Sequence, residues 1–456
     1  MITAASQSGP FPQVVIIGGG FGGLYAARAL ADAPVQVTLL DRRNHHLFQP
    51  LLYQVATAAL NPSDIAAPIR GVLRQQANAR VILGEATAID LPGRRVLLAD
   101  GALPFDFLIV ATGATHSYFG HEDWAPFAPG LKTLEDAIEI RRRVLLAYEA
   151  AERSTDADER RALLTFLIVG AGPTGVEMAG ALAEIARHAL AHDFRTIDPT
   201  QARVLLIEGQ ARVLPPYPAT LSASAARQLA KLGVEVRTGA RVQAIDAAGV
   251  TIAGDGVTST GERIAARTVV WAAGVAASPL ARSLGVPLDR AGRVIVDPML
   301  HPPGCDNVWI VGDLAAIAEG GQPKGGQIEG GQLVPGVAPA AIQGGQYAAR
   351  AITSRARGNA DAEPFHYVDK GSMATIGRAS AVADFGRLKL TGFLAWLAWG
   401  GVHIMFLIGF RNRVLVMLQW LWQYVTFQRG ARLITGVEPA ATAASAGASR
   451  RSAGGT

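Results

Sequence analysis

Two stretches of the chain carry residues whose types and spacing suit chemistry on a nucleotide. In the first, the β-branched run Val14-Val15-Ile16-Ile17 ends in Gly18-x-Gly20-x-x-Gly23, and an apolar helix from Leu24 to Ala31 follows. Gly18 permits a tight turn, Gly20 lets backbone approach a pyrophosphate, and Gly23 lets the helix pack closely on the strand with its N–H groups facing the anion. A second strand, Val35 to Leu40, ends on Asp41, 18 residues beyond Gly23, where a carboxylate can accept ribose hydroxyls. In a chain with 51 glycines the triplet alone says little. Strand, turn, helix, second strand and terminal acid in that order make a dinucleotide-binding unit.

The second stretch repeats the pattern. Leu163 to Val169 leads into Gly170-Ala171-Gly172-Pro173-Thr174-Gly175, and the returning strand Val204 to Ile207 ends on Glu208. A polar segment around His192 to Thr200 delays that return and reads as a surface loop. Two units imply two nucleotides, the natural pair being a bound flavin and a diffusing nicotinamide cofactor.

The elements around these runs divide the chain. Val81 to Ile89 and Arg95 to Leu98, turned at Pro92-Gly93, read as a β-hairpin within the first unit. Phe107 to Ala111 is a buried strand ending in Thr112-Gly113, a second point of close backbone approach to the first nucleotide. A helix is expected over Thr133 to Glu152, followed by a charge-rich linker from Arg153 to Arg161. Thr268 to Ala272 closes the second unit on Ala273-Gly274. Val308 to Val311 then returns to the first unit and ends in Gly312-Asp313, where the carboxylate can bond a ribityl chain. The fold class is α/β, with two Rossmann-like dinucleotide-binding domains, the second inserted in the first, plus a C-terminal membrane-associating helical region. The boundaries expected are 12–160 and 289–370 for the first domain, 161–288 for the second, 371–436 for the membrane-anchoring region and 437–456 for a disordered tail.

Composition narrows the function. A single cysteine, Cys305, excludes a disulfide scaffold and an intrachain dithiol redox centre. Residues 1 to 11 hold no charged side chain and do not read as a signal peptide. From His366 onward 10 Lys and Arg face 3 Asp and Glu, a net of +7 against +5 for the whole chain. Basic excess at one end argues for an anionic surface met there, not for a protein coated with nucleic-acid contacts. The same end is apolar from Gly392 to Phe410, then Arg411-Asn412-Arg413, then apolar again from Val414 to Phe427. The first run could span a bilayer by length. The favoured reading is a pair of interfacial helices, with Trp396, Trp399, Trp420, Trp422 and Tyr424 at headgroup depth and arginines on anionic lipid. No metal cluster is expected.

The two fingerprints, the Ala111-Thr112-Gly113 between them and the later Gly312-Asp313 resemble the two-dinucleotide-binding-domain flavoproteins. Within these, Arg42-Arg43-Asn44-His45-His46-Leu47-Phe48-Gln49-Pro50-Leu51-Leu52-Tyr53-Gln54-Val55-Ala56, the run Gly170 to Glu177 and the tail Arg411-Asn412-Arg413 resemble type II NADH dehydrogenases, the non-pumping NADH:quinone oxidoreductases. The resemblance implies FAD held by Gly18, Gly20, Gly23, Asp41, Thr112, Gly113, Gly312 and Asp313. It implies NADH held by Gly170, Gly172, Gly175, Glu208 and Gly274, with Glu208 selecting NADH because a carboxylate repels a 2′-phosphate. Glu177, in the first turn after the second fingerprint, matches a position near flavin and nicotinamide; the blander role is a carboxylate favouring the helix dipole. Gln343 and Lys370 match positions on the quinone side, although the family's Ala-Gln-x-Ala-x-Gln reads Ala338-Pro339-Ala340-Ala341-Ile342-Gln343 here, with proline for the first glutamine. The implied partners are a quinone and a lipid surface, with peripheral, monotopic attachment and the nucleotide domains in the cytoplasm; a homodimer stays open. The competing readings are a membrane-anchored NAD-sensing flavoprotein without turnover, and a sulfide:quinone oxidoreductase, which needs a cysteine pair this chain lacks.

Overall fold

A computed structural model describes residues 11–254, 261–320, 322–324, 327–329, 331–359, 363–426 and 429–435. The tail expected over 437–456 lies outside the described residues. Each nucleotide unit is built on its own parallel sheet. In the first, strands Gln13–Ile17, Gln36–Asp41, Ala79–Leu83, Phe107–Val110 and Val308–Ile310 form five strands, with Gln13–Ile17 between Gln36–Asp41 and Phe107–Val110. In the second, Arg203–Glu208 and Thr268–Trp271 flank Thr165–Val169, and Val234–Thr238 lies at the edge. Thr165–Val169 is buried along its whole length, as a parallel strand covered on both faces must be. The strand Val308–Ile310 completes the first sheet some two hundred residues after its neighbour Phe107–Val110, so the second unit is an insertion in the first.

Several elements differ from the sequence expectation. Val81 belongs to the parallel strand Ala79–Leu83, and the antiparallel element is a separate three-stranded sheet of Ala88–Asp90, Arg95–Leu98 and Gly101–Pro104. Local alternation did not separate them because only the pairing with Gln36–Asp41 assigns Val81 to the main sheet. The segment expected as a linker holds a helix, Ala157–Leu163, which Asp156 caps by accepting from the Asp158 and Glu159 N–H groups. The helix expected over Thr133 to Glu152 runs Leu134–Arg153 behind a Thr133–Asp136 capping box.

Glycines set two close helix contacts. A Cβ on Gly345, in helix Ala338–Ala356, would stand 2.1 Å from the Gly22 carbonyl oxygen of helix Phe21–Ala29. A Cβ on Gly180 would stand 1.6 Å from the Ile376 carbonyl oxygen, so helix Pro173–Glu184 lies directly on strand Ser372–Gly377. That strand begins a three-stranded antiparallel sheet with Ser380–Phe385 and Leu388–Thr391.

Two helices follow, Phe393–Phe406 and Phe410–Thr426. The apolar run from Gly392 is therefore not one helix. Leu407 adopts an extended backbone, Gly409 has φ +91°, and the Arg413 guanidinium donates to the Leu407 carbonyl at 2.7 Å. Fourteen helical residues reach about 21 Å, short of a hydrocarbon core of about 30 Å. No described helix is long and apolar enough to cross a membrane.

Candidate functional site

The two fingerprints fold into nearly the same turn. Gly18 and Gly170 take φ of +102° and +99°, conformations that favour glycine. Their N–H groups donate to Leu40 and Ile207 carbonyls at 2.8 and 2.7 Å. A Cβ on Gly23 or on Gly175 would stand 1.8 Å from the Gly18 or Gly170 carbonyl oxygen, which is the close packing expected of the third glycine. At Gly20 and Gly172 a Cβ would meet nothing within 4 Å. The turn is thus open to an approaching ligand only at the second glycine.

The acids at the strand ends reach back to these turns. Asp41 accepts the Gly19 and Arg43 N–H groups at 2.5 and 2.6 Å, and Glu208 accepts those of Ala171 and Gln210 at 2.7 and 2.8 Å. Each carboxylate therefore braces the turn to which it returns. Around the first turn, the buried Thr112 hydroxyl has no hydrogen-bond partner, and Gly113 at φ +66° has free space on its Cβ side. Gly312 at φ +70° leads into Asp313, whose carboxylate lies 3.6 Å from the Lys132 ammonium. Gly274 is different: a Cβ there would stand 2.6 Å from the Phe119 ring and 2.9 Å from the Ser117 carbonyl oxygen, so protein occupies the space beside it.

A third site lies where helix Pro173–Glu184, strand Ser372–Gly377, helix Leu52–Ala56 and the two C-terminal helices meet. Its cavity is lined by Tyr53, Gln54, Glu177, Glu184, Thr375, Arg378, Trp396, Trp399, Trp420, Tyr424 and Arg429, among others. Glu177 is not in the first turn of its helix, because Pro173 starts the helix directly after Gly172. It stands in the second turn, where the dipole role does not apply. Protein surrounds its carboxyl, which remains reachable through the cavity. Burial pushes its pKa up to about 8, only partly countered by the Thr375 backbone N–H.

The wall of this cavity is held by a buried ion pair. Arg429 donates to Glu184 at 3.0 Å and to the Thr57 carbonyl at 2.8 Å. Glu184 also accepts the Arg378 N–H at 2.5 Å, and the Arg378 guanidinium lies 4.2 Å from the Tyr424 ring centroid. Trp399 and Trp420 have ring centroids 5.2 Å apart, and Trp396 and Tyr424 5.4 Å. His403 stacks on Trp399, and burial pushes its pKa down to about 4.

Of the three residues expected to act in catalysis, only Glu177 lines the cavity. Gln343 both donates to and accepts from the Val368 backbone, at 3.0 and 2.9 Å, and so clamps helix Ala338–Ala356 to the chain two residues before Lys370. Lys370 is exposed, with its ammonium 5.8 Å from the Phe406 ring centroid. Pro339 sits at the opening of helix Ala338–Ala356, where a missing N–H costs nothing. Four of the five rings expected at headgroup depth line the cavity instead; Trp422 alone among them is exposed. Arg429 turns inward to Glu184, and Arg432 pairs with the partly exposed Asp193, so both are engaged within the chain. Residues the sequence reading passed over include Glu184, seven positions after Glu177 and so on the same helix face, a spacing that could have revealed it.

Comparison with known proteins adds the family. The profile of the pyridine nucleotide-disulphide oxidoreductases matches residues 12–345, and that of the NDH2 C-terminal domain matches residues 370–429. A type II NADH:quinone oxidoreductase of Mycobacterium tuberculosis is 50% identical over 93% of this chain and 90% of its own length. The chain belongs to the type II NADH dehydrogenase family. A second such enzyme of Mycobacterium tuberculosis is 49% identical over 93% of the chain and 89% of its own length. The structure of NDH2 from Plasmodium falciparum in complex with NADH superposes with a TM-score of 0.81, covering 93% of this chain and all of that one at 20% identity, so it shares the fold. The third cavity of this chain is lined from both matched regions, by Tyr53 and Glu177 of the first and by Thr375, Trp399 and Arg429 of the second.

Proposed function

We propose that this chain is a membrane-associated, non-pumping enzyme that passes two electrons from NADH through FAD to a quinone. The observation that carries the reading is the pair of matched turns, each open at its second glycine and braced by a terminal carboxylate, in one chain with a cavity beside them. Residues at the first turn fit FAD. Gly20 leaves room for a pyrophosphate, the unpartnered Thr112 hydroxyl offers a polar contact, and Gly312-Asp313 supplies backbone N–H groups and a carboxylate. When bound, FAD supplies the hydride acceptor and the two-electron store of the reaction.

The chain supplies position and protons. Gly170, Gly172 and Gly175 open the second turn to the pyrophosphate of NADH, and Glu208 disfavours a 2′-phosphate. Glu177, with a pKa of about 8, stays protonated at neutral pH and holds a proton on its carboxyl oxygen for a quinone in the cavity. The rings of Trp399 and Trp420 give that quinone flat apolar walls and exclude water. Gln343 acts on the quinone side by fixing the segment that leads into strand Ser372–Gly377, and Lys370 stands exposed in that segment over the Phe406 ring.

Attachment to the membrane belongs to the same proposal. Phe393, Leu394, Leu397 and Met405 of one C-terminal helix and Met417, Leu418, Leu421, Trp422 and Val425 of the next are large apolar side chains left exposed. A face of that size marks an interaction surface, and a quinone reaches the adjacent cavity from lipid. Placing the nucleotide sheets on the cytoplasmic side puts NADH in its own compartment.

The test uses the purified protein. An oxidised flavin spectrum, bleached by NADH and restored by a quinone, is the expected result. A protein without flavin, or a flavin that NADH reduces and no quinone reoxidises, removes the activity and favours a non-turnover role.

A further inference from the structure

The cavity that the proposed function assigns to quinone holds a chain of hydrogen bonds whose direction is fixed from its outer end. An indole N–H can only donate. Trp420, on helix Phe410–Thr426, donates to the Gln54 side-chain oxygen at 2.8 Å. The Gln54 amide is thereby oriented, and its NH2 group donates to the Tyr53 hydroxyl oxygen at 2.9 Å. Tyr53 is thus an acceptor toward the protein. Its own hydrogen finds no acceptor among the described residues, although the side chain is 7% exposed and lines the cavity. A buried hydroxyl left with an unspent donor calls for a partner.

Beside it stand the flat rings of Trp399 and Trp420, with centroids 5.2 Å apart, as walls of the same cavity. The cavity therefore offers a donor beside flat aromatic walls, and the complementary ligand is a planar ring bearing an acceptor, which describes a quinone and its carbonyl oxygen. We infer that Tyr53 donates the hydrogen bond that holds a quinone carbonyl, and that Trp420, acting through Gln54, is the positioning residue that keeps this donor free. If Trp420 is lost, the Gln54 amide is free to flip, its oxygen then faces the hydroxyl, and the Tyr53 hydrogen is spent on it. A residue of the lipid-facing helix pair thus governs the polarity of the quinone cavity.

The inference rests on the quinone reading, and the experiment separates the two. Oxidised full-length holoenzyme is titrated calorimetrically with a short-chain benzoquinone, and reoxidation of the reduced flavin by the same quinone is followed by stopped flow. Tyr53→Phe is expected to weaken binding about tenfold, the usual size for one lost hydrogen bond in a buried site. Trp420→Phe is expected to weaken it several-fold, and to add nothing in the Tyr53→Phe background. A merely structural role for Trp420 gives additive losses instead, and that result overturns the positioning claim. Unchanged affinity in Tyr53→Phe overturns the donor claim. Ala181→Leu, which narrows the same cavity, controls for location. If it leaves quinone binding intact while the enzyme still turns over, the quinone sits elsewhere and this inference falls alone. Wild-type enzyme that neither binds nor is reoxidised by quinone overturns the activity reading as well.

Discussion

Glu177 holds its carboxyl in an environment far from water. Burial raises its pKa to about 8 from an ordinary value of 4.5, so between those values the native carboxyl keeps a proton that the unfolded chain has released. Stability must then fall as pH rises through that window, by at most about 1.4 kcal/mol per unit, and level off above it. Glu177→Gln carries no such cost. Its melting temperature relative to wild type is expected to rise steadily from pH 5 to pH 8, and its quinone half-reaction is expected to lose the ionisation near pH 8. A constant difference in melting temperature across pH 5, 7 and 9 would contradict the buried-acid assignment. Glu208 offers a separate test, because its carboxylate serves both charge and turn. Glu208→Gln keeps an acceptor for the Ala171 N–H but removes the negative charge, so the preference of kcat/KM for NADH over NADPH should narrow about tenfold or more with little change in stability. Glu208→Ala should narrow it too and also loosen the turn. If the glutamine variant keeps the wild-type ratio, charge at this position does not choose the cofactor.

Elements in this protein meet through glycines, and the two kinds of glycine predict opposite outcomes. At Gly180 a side chain collides with the Ile376 carbonyl, which must move the helix bearing Glu177 off strand Ser372–Gly377. Gly180→Ala is expected to cost about 1–3 kcal/mol, read from denaturant melts. At Gly172, with φ −68° and ψ −178°, alanine fits the backbone and meets no protein atom. Gly172→Ala should leave the melt nearly unchanged and raise the KM for NADH; equal losses of stability in both variants would erase the distinction. Those roles explain what was legible from the chain. Gly23 and Gly175 could be assigned because β-branched runs, turn and acid occur in local order, and parallel strands buried on both faces are continuous apolar runs. Gly180 could not, since its contact lies nearly two hundred residues away. The cavity was hidden for a related reason: helix Phe393–Phe406 is apolar almost all round, so its periodicity does not say that Trp399 faces inward and Leu394 outward. Tyr53 and Gln54 lay in a stretch expected to meet a flat ligand, but only the indole of Trp420 reveals which way their hydrogen bonds run.

At the scale of the whole molecule, the exposed apolar face and the basic C-terminal end must act together. The face carries Leu394, Leu397, Met405, Leu418, Leu421, Trp422 and Val425, each about half exposed or more. Near it Arg387, Lys389, Arg411 and Arg413 are exposed, whereas Arg429 and Arg432 are spent on internal pairs. Exposed basic side chains near an anionic membrane contribute about 1 kcal/mol each and are screened by salt. The apolar contribution, about 25 cal/mol per Å² buried, is not weakened by salt. Attachment to anionic liposomes should therefore weaken but persist at high salt, and Leu421→Glu with Val425→Glu should release the protein even at low salt. Both positions lie on the outer face, so the double variant should keep NADH reduction of a water-soluble acceptor and lose turnover mainly with a long-chain quinone, which must enter from lipid. Flotation at low and high salt with both activities measured checks this. A double variant that still floats, or wild-type protein stripped completely by salt, would show that this face does not hold the enzyme on the bilayer.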